Sequence, residues 1–204
     1  MKTIALVLLA LAPVQDDEEF KALEAEWAHA IAEKLATEAA GFEKPRLKID
    51  PDSAKAVGVH VPDQRGLLVS PQKELQEGAA EGYAAETGKP LGYLFFYRMA
   101  LKVDGKPVDP ARLHVAKFTN DEGKTFTIPT LLLSVRRVAD DDWRLYGYGK
   151  EEKPILDAKF AGGAGPGDKP VAIQVKELDG RKDTLVLTLF DKYQASFPLA
   201  RLKE

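Results

Sequence analysis

The feature that most constrains this chain is a change of period. From residue 91 onward, apolar and polar residues alternate in short stretches separated by Gly and Asp turns, and no helical spacing of three or four intervenes. The first stretch, "LGYLFFYRMALKVDG" at residues 91–105, is the most apolar run beyond the N-terminus. Its uninterrupted apolar part ends at Tyr97, well short of the roughly 20 residues a membrane helix needs. Read as one strand, it puts Tyr93, Phe95, Tyr97, Met99, Leu101 and Val103 on one face and Leu94, Phe96, Arg98, Ala100 and Lys102 on the other. "LHVAKF", "TFTIPTLLLSVRRV", "WRLYGYG", "ILDAKF", "VAIQVKEL", "TLVLTLF" and "ASFPLA" follow, with "DGKP", "NDEGK", "ADDD" and "DGRKD" as turns. Such spacing predicts antiparallel strands in a sandwich or partly open barrel rather than βαβ units. Pro129 predicts an edge or a bulge in its strand.

The N-terminal part reads differently. Phe20, Leu23, Trp27, Ile31 and Leu35 recur at helical spacing, with Glu24, Glu26, Glu33, Lys34 and Glu38 mostly off that stripe and Gly41 as a stop. This predicts an amphipathic helix of about 24 residues, roughly 36 Å long. Its stripe needs a surface, and the Leu94 and Phe96 face of the apolar strand is the expected one. After Gly41 the period becomes two: "RLKID" and "AKAVGVHV" alternate, with Val57, Val59 and Val61 opposite Gly58 and His60, before a turn into "LLV". Residues 70–88 predict a short second helix with Ser70 as N-cap and Pro71 in its first turn, weakened by Gly78 and Gly82.

Residues 1–15 have the layout of a secretory signal peptide: Lys2, nine apolar residues at 4–12, then Pro13 ahead of an acidic block. Removing it takes away Lys2 and no acid, so the formal charge of -3 becomes -4. The basic residues are scattered, which gives no footprint for nucleic acid. The absence of cysteine excludes disulfides, thiolate metal sites and Cys nucleophiles. Export without disulfides points to a bacterial periplasm or cell exterior. The remaining residues, 16–204, are expected to form one α+β domain in which a flexible loop at 161–170 precedes a C-terminal β segment at 171–204.

No motif marks a reaction. "GGAGPGDK" has Asp168 where a phosphate-binding loop needs Lys, and a strand-like segment follows it. "SPQK" at 70–73 fits S-x-x-K but lacks the accompanying S-D-N and K-T-G elements. His29, His60 and His114 have no ligand-type neighbour at metal-binding spacing. Asp50 with Asp52, and Asp140 with its two neighbours, read as turn residues rather than calcium ligands. The most informative polar pattern is "WRLYGYGK", where Arg144, Tyr146 and Tyr148 share a face that could stack on a sugar or grip an anion. With Arg98 on the apolar strand, these are the expected ligand-binding residues.

The chain therefore reads as mainly antiparallel β, with a long N-terminal amphipathic helix packed on the sheet and a short second helix. Its expected role is an exported, non-catalytic binding or interaction module of the cell envelope. The partner would be a protein, glycan or small molecule, with no nucleic acid, cofactor, metal or membrane span in the mature chain. Two alternatives stand beside it: a carrier holding a small hydrophobic ligand inside a β-barrel, and a secreted hydrolase of polysaccharide or peptide, which would need two carboxylates in one cleft.

Overall fold

The computed structural model describes residues 19–62, 64–75, 83–120, 122–162 and 170–202. The expected signal peptide and most of the 161–170 loop lie outside them. In chain order the elements are β1 (Lys21–Ala22), α1 (Ala25–Ala39), β2 (Val57–Val61), β3 (Arg65–Pro71), β4 (Lys89–Tyr97), β5 (Met99–Val103), β6 (Lys106–Pro107) and β7 (His114–Thr119). They continue with β8 (Thr125–Ala139), β9 (Asp142–Tyr148), β10 (Leu156–Lys159), β11 (Ala161–Gly162), β12 (Val171–Leu178), β13 (Arg181–Leu189) and β14 (Tyr193–Arg201).

The strands form two antiparallel sheets and no closed barrel. One sheet runs β1-β2-β3-β4-β8-β9-β10, with β7 also paired to β8. The other runs β12-β13-β14-β5-β6, with β11 on β14. Their facing sides interlock in one apolar core that includes Val59, Leu67, Leu94, Phe96, Leu131 and Leu133 from the first sheet and Met99, Leu101, Leu185, Leu187 and Phe197 from the second. The closed barrel that a carrier with an internal cavity needs is not formed, and the space between the two sheets is filled by side chains, as in a sandwich.

The apolar run at 91–103 is not one strand. It breaks at Arg98, whose φ of 53° is left-handed, and the chain passes there from the first sheet into the second. The break resets the alternation. Phe96 and Met99, three residues apart, both enter the inter-sheet core, and Tyr93 and Phe95 fall on the other side. The hairpins that follow use Asp104-Gly105 and Asp179-Gly180 with positive φ at both residues, the twist that two-residue antiparallel connections favour.

Helix α1 is shorter than its sequence pattern suggests. Lys21 and Ala22 pair with His60 and Val59, and the Leu23 N–H donates to the Gly58 carbonyl at 2.8 Å, so the chain up to Leu23 belongs to the sheet. The buried stripe is Ala28, Ala32, Leu35 and Ala39, and Trp27 is 57% exposed. Small alanines let the helix lie close to the sheet, which a Trp on that stripe would prevent. The helix covers the outer face of the first sheet, over Leu68, Phe95 and Leu132, and not Leu94 and Phe96. The second sheet has already taken those two side chains. The molecule is thus helix on sheet on sheet.

The described parts of 70–88 are not helical. Ser70 and Pro71 end β3, Lys73 and Glu74 form a turn, and 83–88 are turns leading into β4. Residues 76–82, the middle of the expected second helix, lie outside the described set. "RLKID" is no strand, although Leu47 is buried under the helix. Pro129 sits just beyond the last rung of the β4 ladder, Phe95 with Thr130, where β8 has lost that neighbour and keeps only β7.

Candidate functional site

The departure of β4 at Arg98 leaves a gap. The β7–β8 hairpin runs on past Thr130 to residues 119 and 125, whereas the strand that should flank it has crossed to the other sheet. On the helix side this gap forms an apolar groove of about 380 Å³. Ile31 and Leu35 of α1 form one wall, Phe118, Phe126 and Ile128 of the hairpin the other, and Leu68, Phe95 and Tyr97 the floor. The Phe126 ring stands edge-on to Tyr97, with centroids 5.6 Å apart. Gly66 borders the groove without adding a side chain. Trp27 lies one helical turn before Ile31, its ring in solvent.

The polar groups around the groove are few. His60, Gln64, Arg65 and Asn120 border it, and no described lining residue is acidic. The Asn120 side-chain oxygen accepts the Lys124 backbone N–H at 2.8 Å, so its remaining polar group is the NH₂ donor. Lys34 and Lys124 place their ammonium groups over the rings of Phe118 and Phe126, at 5.5 and 5.1 Å from the centroids. The Arg65 guanidinium lies over Phe20, which packs on the inter-sheet core, and its Nε and Nη2 have no hydrogen-bond partner.

The residues expected from sequence lie elsewhere. Arg144, Tyr146 and Tyr148 do share the outer face of the first sheet, but the two rings are only 8% and 2% exposed and contact each other edge to face. Burial pushes the Tyr148 hydroxyl pKa above its ordinary value. Arg144 is held by Asp142 through two hydrogen bonds, at 2.7 and 3.0 Å, and by Asp157 at 3.3 Å. This pairing raises the Arg144 pKa and lowers that of Asp142. Arg98 stacks on Tyr97 at the sheet crossing and accepts the Leu202 N–H on its carbonyl, so its backbone is structural. None of these four residues lines the groove. The groove itself left a faint trace in the sequence: Phe118 and Phe126 are a cross-strand aromatic pair near the tip of an otherwise polar hairpin.

A second, polar cleft of about 1100 Å³ lies between β10 and the ends of β5, β13 and β14. Its described lining includes three acids, Asp104, Asp157 and Asp183. Its Asp183 is gripped by Arg201 at 2.7 and 2.9 Å, and its Asp157 bonds Arg144. Asp157 and Asp183 are thus both committed to ion pairs. In "SPQK", the Ser70 hydroxyl is buried without a partner and Lys73 pairs with Asp50 at 3.0 Å. Asp52 pairs with Lys55 and Asp140 with Arg137, so these acids serve their own turns. His114 is buried, stacked on Phe42 at 4.7 Å. Among the described residues no three His, Asp or Glu side chains gather as a metal site would need, and no helix is long and apolar enough to cross a membrane.

Compared with known proteins, the chain matches no family model, no curated protein and no solved structure.

Proposed function

We propose that this protein is an exported, non-catalytic binding module whose outer groove, between α1 and the β7–β8 hairpin, takes a small apolar ligand. One observation carries the reading: the inter-sheet core is filled, yet apolar side chains from α1, β3, β4, β7 and β8 converge on about 380 Å³ that they leave open. Contiguous apolar surface of this kind is costly in water and marks binding sites. The volume is at the small end of the roughly 300–1,000 Å³ range of ligand pockets. Export rests on the signal-peptide layout of residues 1–15. A hydrolase is less well supported, because two of the three described acids that line the polar cleft, Asp157 and Asp183, are already paired with arginines.

The test is titration with the neutral fluorophore N-phenyl-1-naphthylamine. Its emission should rise and saturate at one equivalent, and Ile31→Trp, which fills the groove from its half-exposed wall, should abolish the rise without lowering Tm. A wild-type protein that gives no saturable signal overturns the proposal, as does an Ile31→Trp variant that binds as well.

A further inference from the structure

We infer that the groove's ligand is a short stretch of extended polypeptide, which lies in the lane that β4 vacates and adds as a strand to the free edge of β8. The inference rests on the groove being a binding site and names the chemistry of its ligand. Thr130 pairs both with Phe95 of β4 and with His114 of β7, so these two strands run along opposite edges of β8. β7 continues along its edge to Thr125, whereas β4 pairs no residue of β8 before Thr130. Residues 125–129 therefore have one edge with no partner strand among the described residues. Backbone N–H and C=O groups along such an edge are a template for pairing with another chain. A hydrocarbon ligand fills the groove without meeting them, and an extended peptide does both.

Two further observations favour this edge. First, the ends of the two sheets are guarded in the ways that deter strand addition: β1 and β6 have two residues each, β10 carries Asp157 and Lys159, and β12 carries Lys176 and Glu177. The vacated edge reads Thr125-Phe126-Thr127-Ile128-Pro129, without a charge and mostly of residues that suit a strand. Pro129 is its one guard and sits next to the last β4 rung, which leaves Thr125 to Ile128 beyond it. Second, Phe126 and Ile128 face the groove, and a strand laid beside them alternates in the same way. Every second side chain of the ligand enters the apolar space between the hairpin and the Ile31 and Leu35 wall. The ligand is thus an extended segment that spans residues 125–129 and carries apolar side chains at alternate positions, held by backbone pairing and sorted by the groove.

The test uses two acetylated, amidated pentapeptides of the same composition, LTLTL and LLLTT, as competitors of bound N-phenyl-1-naphthylamine. LTLTL should displace the probe about tenfold better, because one leucine more reaches the groove. It should also slow hydrogen exchange at backbone amides within Thr125 to Ile128, which LLLTT does less. Successive N–H groups of a strand point to opposite edges, so N-methylating LTLTL at its leucines or at its threonines blocks one edge only. One of these two peptides should bind about twofold to tenfold more weakly for each N–H lost, and the other should keep its affinity. Equal competition by all four peptides, with exchange at residues 125–128 unchanged, overturns strand addition while leaving an apolar site intact. Absence of binding by the probe and by every peptide removes the site itself. Self-association of the peptide-free protein in sedimentation equilibrium, abolished by Thr127→Lys, assigns the edge to a second copy of the chain and also overturns the inference.

Discussion

Phe95 and Phe96 are consecutive in β4 and both are fully buried, yet they belong to different cores. Phe95 lies under α1 and floors the groove, and Phe96 points between the sheets among Leu94, Leu131 and Leu133. A strand buried on both faces forces this division, because its side chains alternate. Phe96→Ala should cost about 3–5 kcal/mol in urea unfolding and leave probe affinity unchanged. Phe95→Ala should also destabilise, and it alone should alter binding by enlarging the groove. Equal effects of both variants on affinity would contradict the separation of the two cores.

Arg98 turns the chain between sheets with φ at 53°. A β-branched residue tolerates that conformation poorly, so Arg98→Val should lose about 1–2 kcal/mol through its backbone alone. Arg98→Gly should be clearly more stable than Arg98→Val, and neither should change ligand affinity, since Arg98 is outside the groove. Urea denaturation with probe titration reads both quantities. A valine variant as stable as the glycine variant would show that the turn does not depend on a left-handed residue.

The turn between β13 and β14 places Phe190 and Asp191 at φ of 49° and 55°, and one carboxylate oxygen of Asp191 is buried without a partner. Asp191→Gly relieves both and should stabilise by about 1 kcal/mol or more, read as a higher Tm. A lower Tm would mean that the carboxylate contributes more than it strains.

How far the sequence foretold this molecule depends on which interactions decide each element. The antiparallel strands and their Asp-Gly turns were legible because period-two alternation and turn chemistry are local: β12, β13 and β14 follow the segments expected. The face assignments of Val57, Val59 and Val61, and of Arg144, Tyr146 and Tyr148, rest on the same pleat. What was not legible is non-local. Nothing near Arg98 announces a left-handed residue, so the apolar run at 91–103 reads as one strand instead of two in different sheets. Phe20 and Leu23 keep helical spacing with Ile31, but pairing with β2 holds the segment before α1 in the sheet. The docking face of the helix could not be chosen either, since both faces of β4 are apolar and only the second sheet's claim on Leu94 and Phe96 decides. The groove is a consequence of these three events together, so Ile31, Phe118 and Phe126, which line it, share no local sequence pattern.

His114 is buried beside Phe42, and desolvation lowers its pKa below the ordinary value despite a hydrogen bond with the Gly149 backbone. The charged groups at this position include Lys150, which opposes protonation further. The folded state therefore binds fewer protons than the unfolded one. Stability from this group is complete above the unfolded pKa of about 6.5 and is lost as pH falls below it, by at most about 1.4 kcal/mol per pH unit. His114→Gln should be less stable at pH 7.5 but show a flatter fall between pH 6.5 and 5 in urea titrations. An unchanged slope would assign the acid sensitivity to other groups.

The most direct test of the groove as the binding site is a chemical-shift map of the isotope-labelled protein titrated with N-phenyl-1-naphthylamine. Perturbations centred on Ile31, Leu35, Phe95, Phe118 and Phe126, with Leu101, Leu187 and Phe197 still, are the predicted result. Shifts concentrated instead around the polar cleft at Asp157, Asp183 and Arg201, or within the inter-sheet core, would contradict it.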